Sequence, residues 1–148
     1  MWLLDTNVLS ELRRRGRAHP NVAAWADALH PQDLFLSVVT ILEIEAGALT
    51  IARRDKTQGT ILRAWIDNRV LTAFDGRILP VDTKIAQRCA SLHVPDPRAE
   101  RDALIAATAL VHRLRIATRN LADFKPMGVD LFNPWEKNSP EPPVQGAV

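Results

Sequence analysis

Four carboxylates in this chain sit beside strongly apolar segments: Asp5, Glu43, Asp102 and Asp123. Most of the 17 acidic residues have the setting of solvated surface groups. These four do not. Carboxylates gathered at one edge of a fold repel each other, which raises some of their pKa values, and a divalent cation removes that cost. Magnesium suits such a donor set, because it prefers hard oxygen ligands and keeps several waters. Zinc would want His or Cys. The four histidines (His19, His30, His93, His112) have no ligand-like spacing, and Cys89 stands alone. The chain contains neither GxxxxGK nor GxGxxG, so no Gly-rich phosphate loop is expected.

Each acid also has a plainer reading. Thr40-x-x-Glu43 has the form of a helix capping box. Asp102 at a helix start suits the helix dipole. Asp123 could cap the turn before Phe124. Asp5, Thr6 or Asn7 could cap a helix beginning near Val8.

The elements that must bring the acids together alternate between strand and helix. Trp2 to Asp5 reads as a buried strand ending in a carboxylate, where open α/β sheets place their ligands. Asn21 to Leu29 has helical spacing in Val22, Trp25, Ala26 and Leu29. Leu34 to Val38 is a second strand. Thr40 to about Arg54 is a helix with Ile41, Ile44, Ala48 and Ile51 on one face. A further helix carries Ile61, Leu62, Trp65 and Ile66. Arg77 to Val81 is a third strand, and Asp82 or Thr83 caps a helix with Ile85, Ala86 and Cys89 inward. Val94 to Ala99 is a loop. Arg101 to Leu114 is a helix apolar nearly all round and hence deeply buried. Arg115 to Thr118 is a fourth strand, and Val129 to Phe132 a fifth at an edge. This alternation predicts an α/β fold, a central parallel sheet of four to five strands with helices on both faces. Strand ends and the helix starts after them share one edge, so all four acids can converge there.

The 148 residues, 47% hydrophobic and 24% charged, suit a single domain. The expected division is a domain over residues 1–135 and a polar tail over 136–148 with Pro140, Pro142 and Pro143, poorly ordered or on the surface. No apolar run approaches membrane-spanning length. The N-terminus lacks a secretory pattern, and one cysteine excludes an intrachain disulfide; a cytoplasmic setting is expected. The net charge of +2 does not prove a nucleic-acid partner. Arg13, Arg14, Arg15 and Arg17 form a cluster that suits either phosphates or a solvated helix end.

With these motifs placed, the chain resembles the PIN-domain ribonucleases, specifically the VapC/FitB-type toxins of bacterial toxin–antitoxin pairs. The resemblance covers nearly everything up to Trp135. It rests on Leu4-Asp5-Thr6-Asn7, on the run from Ser37 to Gly47, on Asp102 to Ala109, and on Thr118-Arg119-Asn120-Leu121-Ala122-Asp123-Phe124. Gly76 to Asp82 and Leu131 to Trp135 look specifically like the FitB branch. The resemblance implies a three-layer PIN-like fold and metal-dependent endonucleolytic cleavage of RNA. Asp5, Glu43 and Asp102 match the family's three best-defined acids. Family members place a fourth acid where Asn120 or Asp123 stands; here that is Asp123. Thr6, Asn7 and Thr118 match polar residues near the metal, Asn120 is a possible polar contact, and all four are assigned to substrate binding. The family also implies a cognate antitoxin and a toxin homodimer.

The implied mechanism is hydrolysis of a phosphodiester by a metal-activated water. Asp5 and Asp102 would be direct ligands of Mg2+, with Mn2+ as a possible substitute. Glu43 and Asp123 would hold metal-bound waters or a second ion. Arg13 to Arg17 or Arg119 could bind RNA phosphates. Three other readings compete with this one. A haloacid-dehalogenase-like phosphatase needs a second Asp where Asn7 stands. A receiver-like signalling domain needs an acidic pair where Leu4 precedes Asp5. A decayed PIN domain would act only by binding antitoxin or DNA complexes. Trp25 and Trp65 exceed what a small sheet obviously needs, and serve either the core or a partner groove.

Overall fold

Three apolar residues are enough to make the first strand because both of its faces are buried. In the computed structural model, which describes residues 1–14 and 16–137, β1 (Trp2–Leu4) sends Leu3 into one apolar cluster and Trp2 and Leu4 into another. Side chains of a strand alternate between faces, so a continuous apolar run signals cover on both sides. β2 (Leu34–Ser37), β3 (Ile78–Leu79), β4 (Arg115–Ala117) and β5 (Leu131–Phe132) complete a five-stranded sheet in the order β3-β2-β1-β4-β5. Every pairing is parallel.

Helices cover both faces. On one side α6 (Thr83–Leu92) and α7 (Glu100–His112) pack Ile85, Cys89, Ile105 and Ala106 against Leu3 and Ile116. Alanines at 103, 106, 107 and 109 of α7 are fully buried. Small side chains there let the helix lie close to the sheet. On the other side α1 (Thr6–Leu12) and α3 (Val38–Arg54) bury Val8, Leu9, Ile44 and Ala48 against Trp2 and Leu4. α2 (Pro20–Asp27) follows α1. α4 (Lys56–Trp65) runs through a π-helical segment, Ile66–Val70, into α5 (Leu71–Ala73). Gly59 lets α4 cross α3 at close range: a Cβ there would lie 2.5 Å from the Ala52 Cβ. Arg63 then ties the pair together through Glu45 and Asp67. α8 (Leu121–Phe124) leads to a short 3-10 turn before β5.

Several boundaries differ from those expected, each for a local reason. α3 starts at Val38, and its cap is Ser37, whose Oγ accepts from the Val39 N–H at 3.0 Å. Thr40 is therefore inside the helix and fully buried, and the Thr40–Glu43 capping box does not form. α1 begins at Thr6 rather than near Val8, with Asp5 as its cap. Asp82 caps α6 through the Ile85 N–H at 2.9 Å, while Ala86 is exposed rather than inward. β3 is only two residues long because Pro80, lacking an N–H, stops the ladder. α7 ends at His112, where Arg113 turns left-handed at φ 56.

Trp25 belongs to the core. It packs on Trp2 and Phe132 at 5.2 and 5.7 Å between ring centroids. Trp65 packs against the same cluster and also lines an open groove of about 610 Å³ with Leu12, Arg13 and Ile61. Pro134 is buried and Trp135 half-buried, so the folded body extends through the start of the Pro-rich stretch. The expectation for the tail beyond Lys137, like that for Arg15, lies outside the described residues.

Candidate active site

The strand order defines where a ligand crevice lies. From β1 the chain moves outward to β2 and β3, and then returns to β4 and β5 on the other side of β1. The crevice between the C-terminal ends of β1 and β4 is the switch point, where such sheets bind their ligands. Asp5 follows β1, and Thr118 follows β4. Leu4 pairs with Ala117, so the next residues on the two strands face each other across that crevice.

Asp5 is 6% exposed and fully engaged. Its Oδ1 accepts from the Thr6 N–H at 2.9 Å. Its Oδ2 accepts from the Thr118 hydroxyl at 2.8 Å and from Asn7 Nδ2 at 3.2 Å. The capping reading is thus correct for one oxygen, and the other is held by groups that helix capping does not need. Asn7 also takes the Arg119 N–H on its Oδ1 at 3.3 Å. Thr118 Oγ1 accepts from the Asn120 N–H at 3.0 Å. Asn120 therefore supports the site through its backbone.

Glu43 stands on the second turn of α3 and reaches the same crevice from the β2 side. The Thr6 hydroxyl donates to its Oε1 at 2.9 Å and lies 3.3 Å from the Thr40 hydroxyl. Its Oε2 faces Arg101 Nη1 at 3.9 Å. Asp102 is in the first turn of α7, as expected, and Asp123 is on α8, exposed.

Burial is the main cause that pushes the Asp5 pKa up; the Thr118 and Thr6 hydrogen bonds oppose it, and Glu43 and Asp123 add to it. Asp102 is also pushed up, by burial first and then by Asp5, Asp123 and Glu43. The four sequence-predicted acids therefore stand within electrostatic reach of one another. Among the described residues, no three His, Cys, Asp or Glu side chains are grouped tightly enough to chelate one ion directly. The two observations agree once range is considered, since Coulomb repulsion extends well beyond coordination distance. What the chain offers is a loose ring of hard oxygen donors. That ring fits a cation that keeps several waters and takes only one or two carboxylates directly.

The arginine cluster falls elsewhere. Arg13 caps the far end of α1 and lies over the Trp65 ring at 5.8 Å, and Arg14 pairs with Glu11 at 3.6 Å. The length of α1 separates them from Asp5, about 10 Å at helical rise. Two contributors were not singled out from sequence. Thr40 looked like a cap because its spacing to Glu43 is the same in either role. Arg101 carried no signal beyond its place next to Asp102.

Comparison with known proteins gives this geometry a context. The PIN domain model matches residues 2–127. The chain is 36% identical over 143 residues to VapC ribonuclease Y4jK of Sinorhizobium fredii, covering 92% of this chain and 99% of that protein. It is 37% identical over 141 residues to toxin FitB of Neisseria gonorrhoeae, covering 91% of this chain and 99% of that one. The crystal structure of FitAcB from Neisseria gonorrhoeae superimposes with a TM-score of 0.83 at 35% identity, over 92% of this chain and 99% of that chain. Matched along nearly its whole length in both sequence and fold, the chain belongs to the PIN-domain family, among the toxins of the VapC and FitB type.

Proposed function

We propose that this protein is a magnesium-dependent endoribonuclease, the toxin of a toxin–antitoxin pair, and that it hydrolyses RNA phosphodiesters at the crevice between β1 and β4. The observation that carries the reading is Asp5: a buried carboxylate at the switch point, held by three donors and repelled by neighbouring acids. Its resemblance to ribonucleases of the same type supports RNA as the substrate.

Asp5 and Asp102 would hold a divalent ion, magnesium or in its place manganese, with Glu43 and Asp123 completing the ring through water. Such an ion supplies Lewis acidity, which lowers the pKa of water and offsets charge on the phosphodiester. Thr118, Asn7 and the Thr6 N–H fix the Asp5 carboxylate in one orientation before any ligand arrives. Glu43, oriented by the Thr6 hydroxyl, would hold water beside the ion. Asn7 donates to Asp5 where a dehalogenase-type phosphatase would present a second acid, so that reading loses its proton donor.

The domain would comprise residues 1–135. A cytoplasmic setting, a cognate antitoxin as partner and a homodimer complete the proposal, and the likeness to the toxin in FitAB structures supports the antitoxin. Cleavage of single-stranded RNA by the purified chain, with magnesium and then with chelator, tests the core of the proposal. Mapping new RNA 5′ ends after brief expression extends it to cells. Cleavage that survives both chelation and Asp5→Asn would overturn it.

A further inference from the structure

RNA carries a negative charge at every phosphate, and the crevice presents it with four carboxylates. A divalent ion answers for the scissile phosphate alone. The neighbouring phosphates need fixed cations of their own. Two guanidinium groups lie by the crevice. Arg101 is drawn toward the acids, with Nη1 3.9 Å from Glu43.

Arg119 behaves differently. Among the described residues its guanidinium has neither a carboxylate partner nor a hydrogen-bond acceptor. It lies over the Trp135 ring, 5.3 Å from the centroid. The residue that carries the ring is anchored through its backbone: the Trp135 backbone N–H donates to Asn133 Oδ1 at 3.0 Å, and its carbonyl accepts from Asn21 Nδ2 at 2.7 Å. The other end of Arg119 is equally fixed. Its backbone N–H is held by Asn7, which also donates to Asp5. A cation next to an acidic cluster would ordinarily collapse onto it. Here the ring of a residue braced through its backbone lies against the cation, whose donors are uncommitted among the described residues.

We infer that Arg119 binds an RNA phosphate adjacent to the scissile one, and that Trp135 is the positioning residue that keeps its guanidinium available. The inference rests on the ribonuclease reading and adds a named contact to it. Arginine's planar fork matches a phosphate bidentately, and a lysine ammonium cannot reproduce either the fork or the stack. Arg13 on Trp65 has the same chemistry at the far end of α1, and so serves as a control.

The test is steady-state cleavage of a short single-stranded RNA across a salt series, with fold monitored by circular dichroism. Arg119→Ala should raise KM about tenfold with kcat unchanged, and should reduce the salt slope of binding by about one. Arg119→Lys, which keeps the charge and the fold, should recover the slope but only part of the KM. Trp135→Leu should follow Arg119→Ala in direction. Arg13→Ala should leave KM where it is. Four results would overturn the inference: an unchanged KM in Arg119→Ala, a fall in kcat alone, an equal effect of Arg13→Ala, or a Trp135→Leu loss with the salt slope intact, which would mean base stacking. If the wild-type chain cleaves no RNA, the ribonuclease reading fails. The phosphate contact is then read from anisotropy of the same RNA, fluorescein-labelled, on Asp5→Asn with and without Arg119→Ala.

Discussion

The Thr118 hydroxyl donates to Asp5 Oδ2 at 2.8 Å across the gap where the sheet reverses its strand order. This bond joins residues 113 positions apart. It also opposes the effect of burial on Asp5. Thr118→Val keeps the shape and removes the donor. The Asp5 pKa should then rise further, so the acid limb of the cleavage profile should move to higher pH. A hydrogen bond to a charged group contributes about 1.5–3 kcal/mol, which sets the scale of the loss in activity near neutrality. The pH–rate profile of the variant beside wild type is the check.

Asp5 and Asp102 both have raised pKa values in the folded chain. The folded state therefore binds these protons more tightly than the unfolded state does. Stability is greatest below the unfolded value near 3.8, falls as pH rises toward the folded values, and stays reduced above them. Without divalent ions, Asp5→Asn should raise the melting temperature at pH 7 and leave it nearly unchanged at pH 3. A relief of about 1 kcal/mol corresponds to roughly 2–4 °C at this chain size. Thermal melts at the two pH values decide it.

Magnesium should act on the same repulsion. Binding to the folded state alone raises stability with ligand concentration. The rise in melting temperature on adding magnesium should be larger at pH 7 than at pH 4, and smaller in Asp102→Asn at either. A magnesium shift of equal size in Asp102→Asn would remove Asp102 from the ligand set. Manganese in place of magnesium should give the same order of effects.

The α3–α4 crossing predicts a defect remote from the chemistry. A Cβ on Gly59 would meet Ala52 at 2.5 Å from its Cβ and 2.6 Å from its Cα. Gly59→Ala should cost about 1–3 kcal/mol through overpacking, despite the gain in helix propensity. Adding Ala52→Gly should recover part of the loss. Denaturant melts of the single and double variants measure both, and RNA cleavage at low temperature should be spared.

Much of this site was legible in advance because its signals are local. An apolar run cut off by Asp5 marks a strand end, and Asp102 opens an apolar helix. Glu43 was legible for a different reason than its surroundings suggested. The spacing to Thr40 suits a cap, but Ser37 stands one residue before the helix and takes that role. Thr40 is freed to lie buried beside Thr6. The closeness of Gly59 to Ala52 and the rest of Arg119 on Trp135 depend on how distant elements cross, and no periodicity records that. β3 is shorter than its apolar stretch suggests because Pro80, which has no N–H, ends the ladder.

The strand order has a temporal side. Ribosomes deliver the chain from its N-terminus, and early segments begin to fold as they emerge. Asp5, Glu43 and Asp102 all leave the tunnel before Thr118 does. The wall that clamps Asp5, and the Trp135 platform after it, arrive later. A chain halted before Thr118 holds three of the four acids but lacks the hydroxyl that donates to the first. The clamp on Asp5 is thus completed only after the earlier acids have emerged, and until then the nascent chain carries its carboxylates without the bond that orients the first.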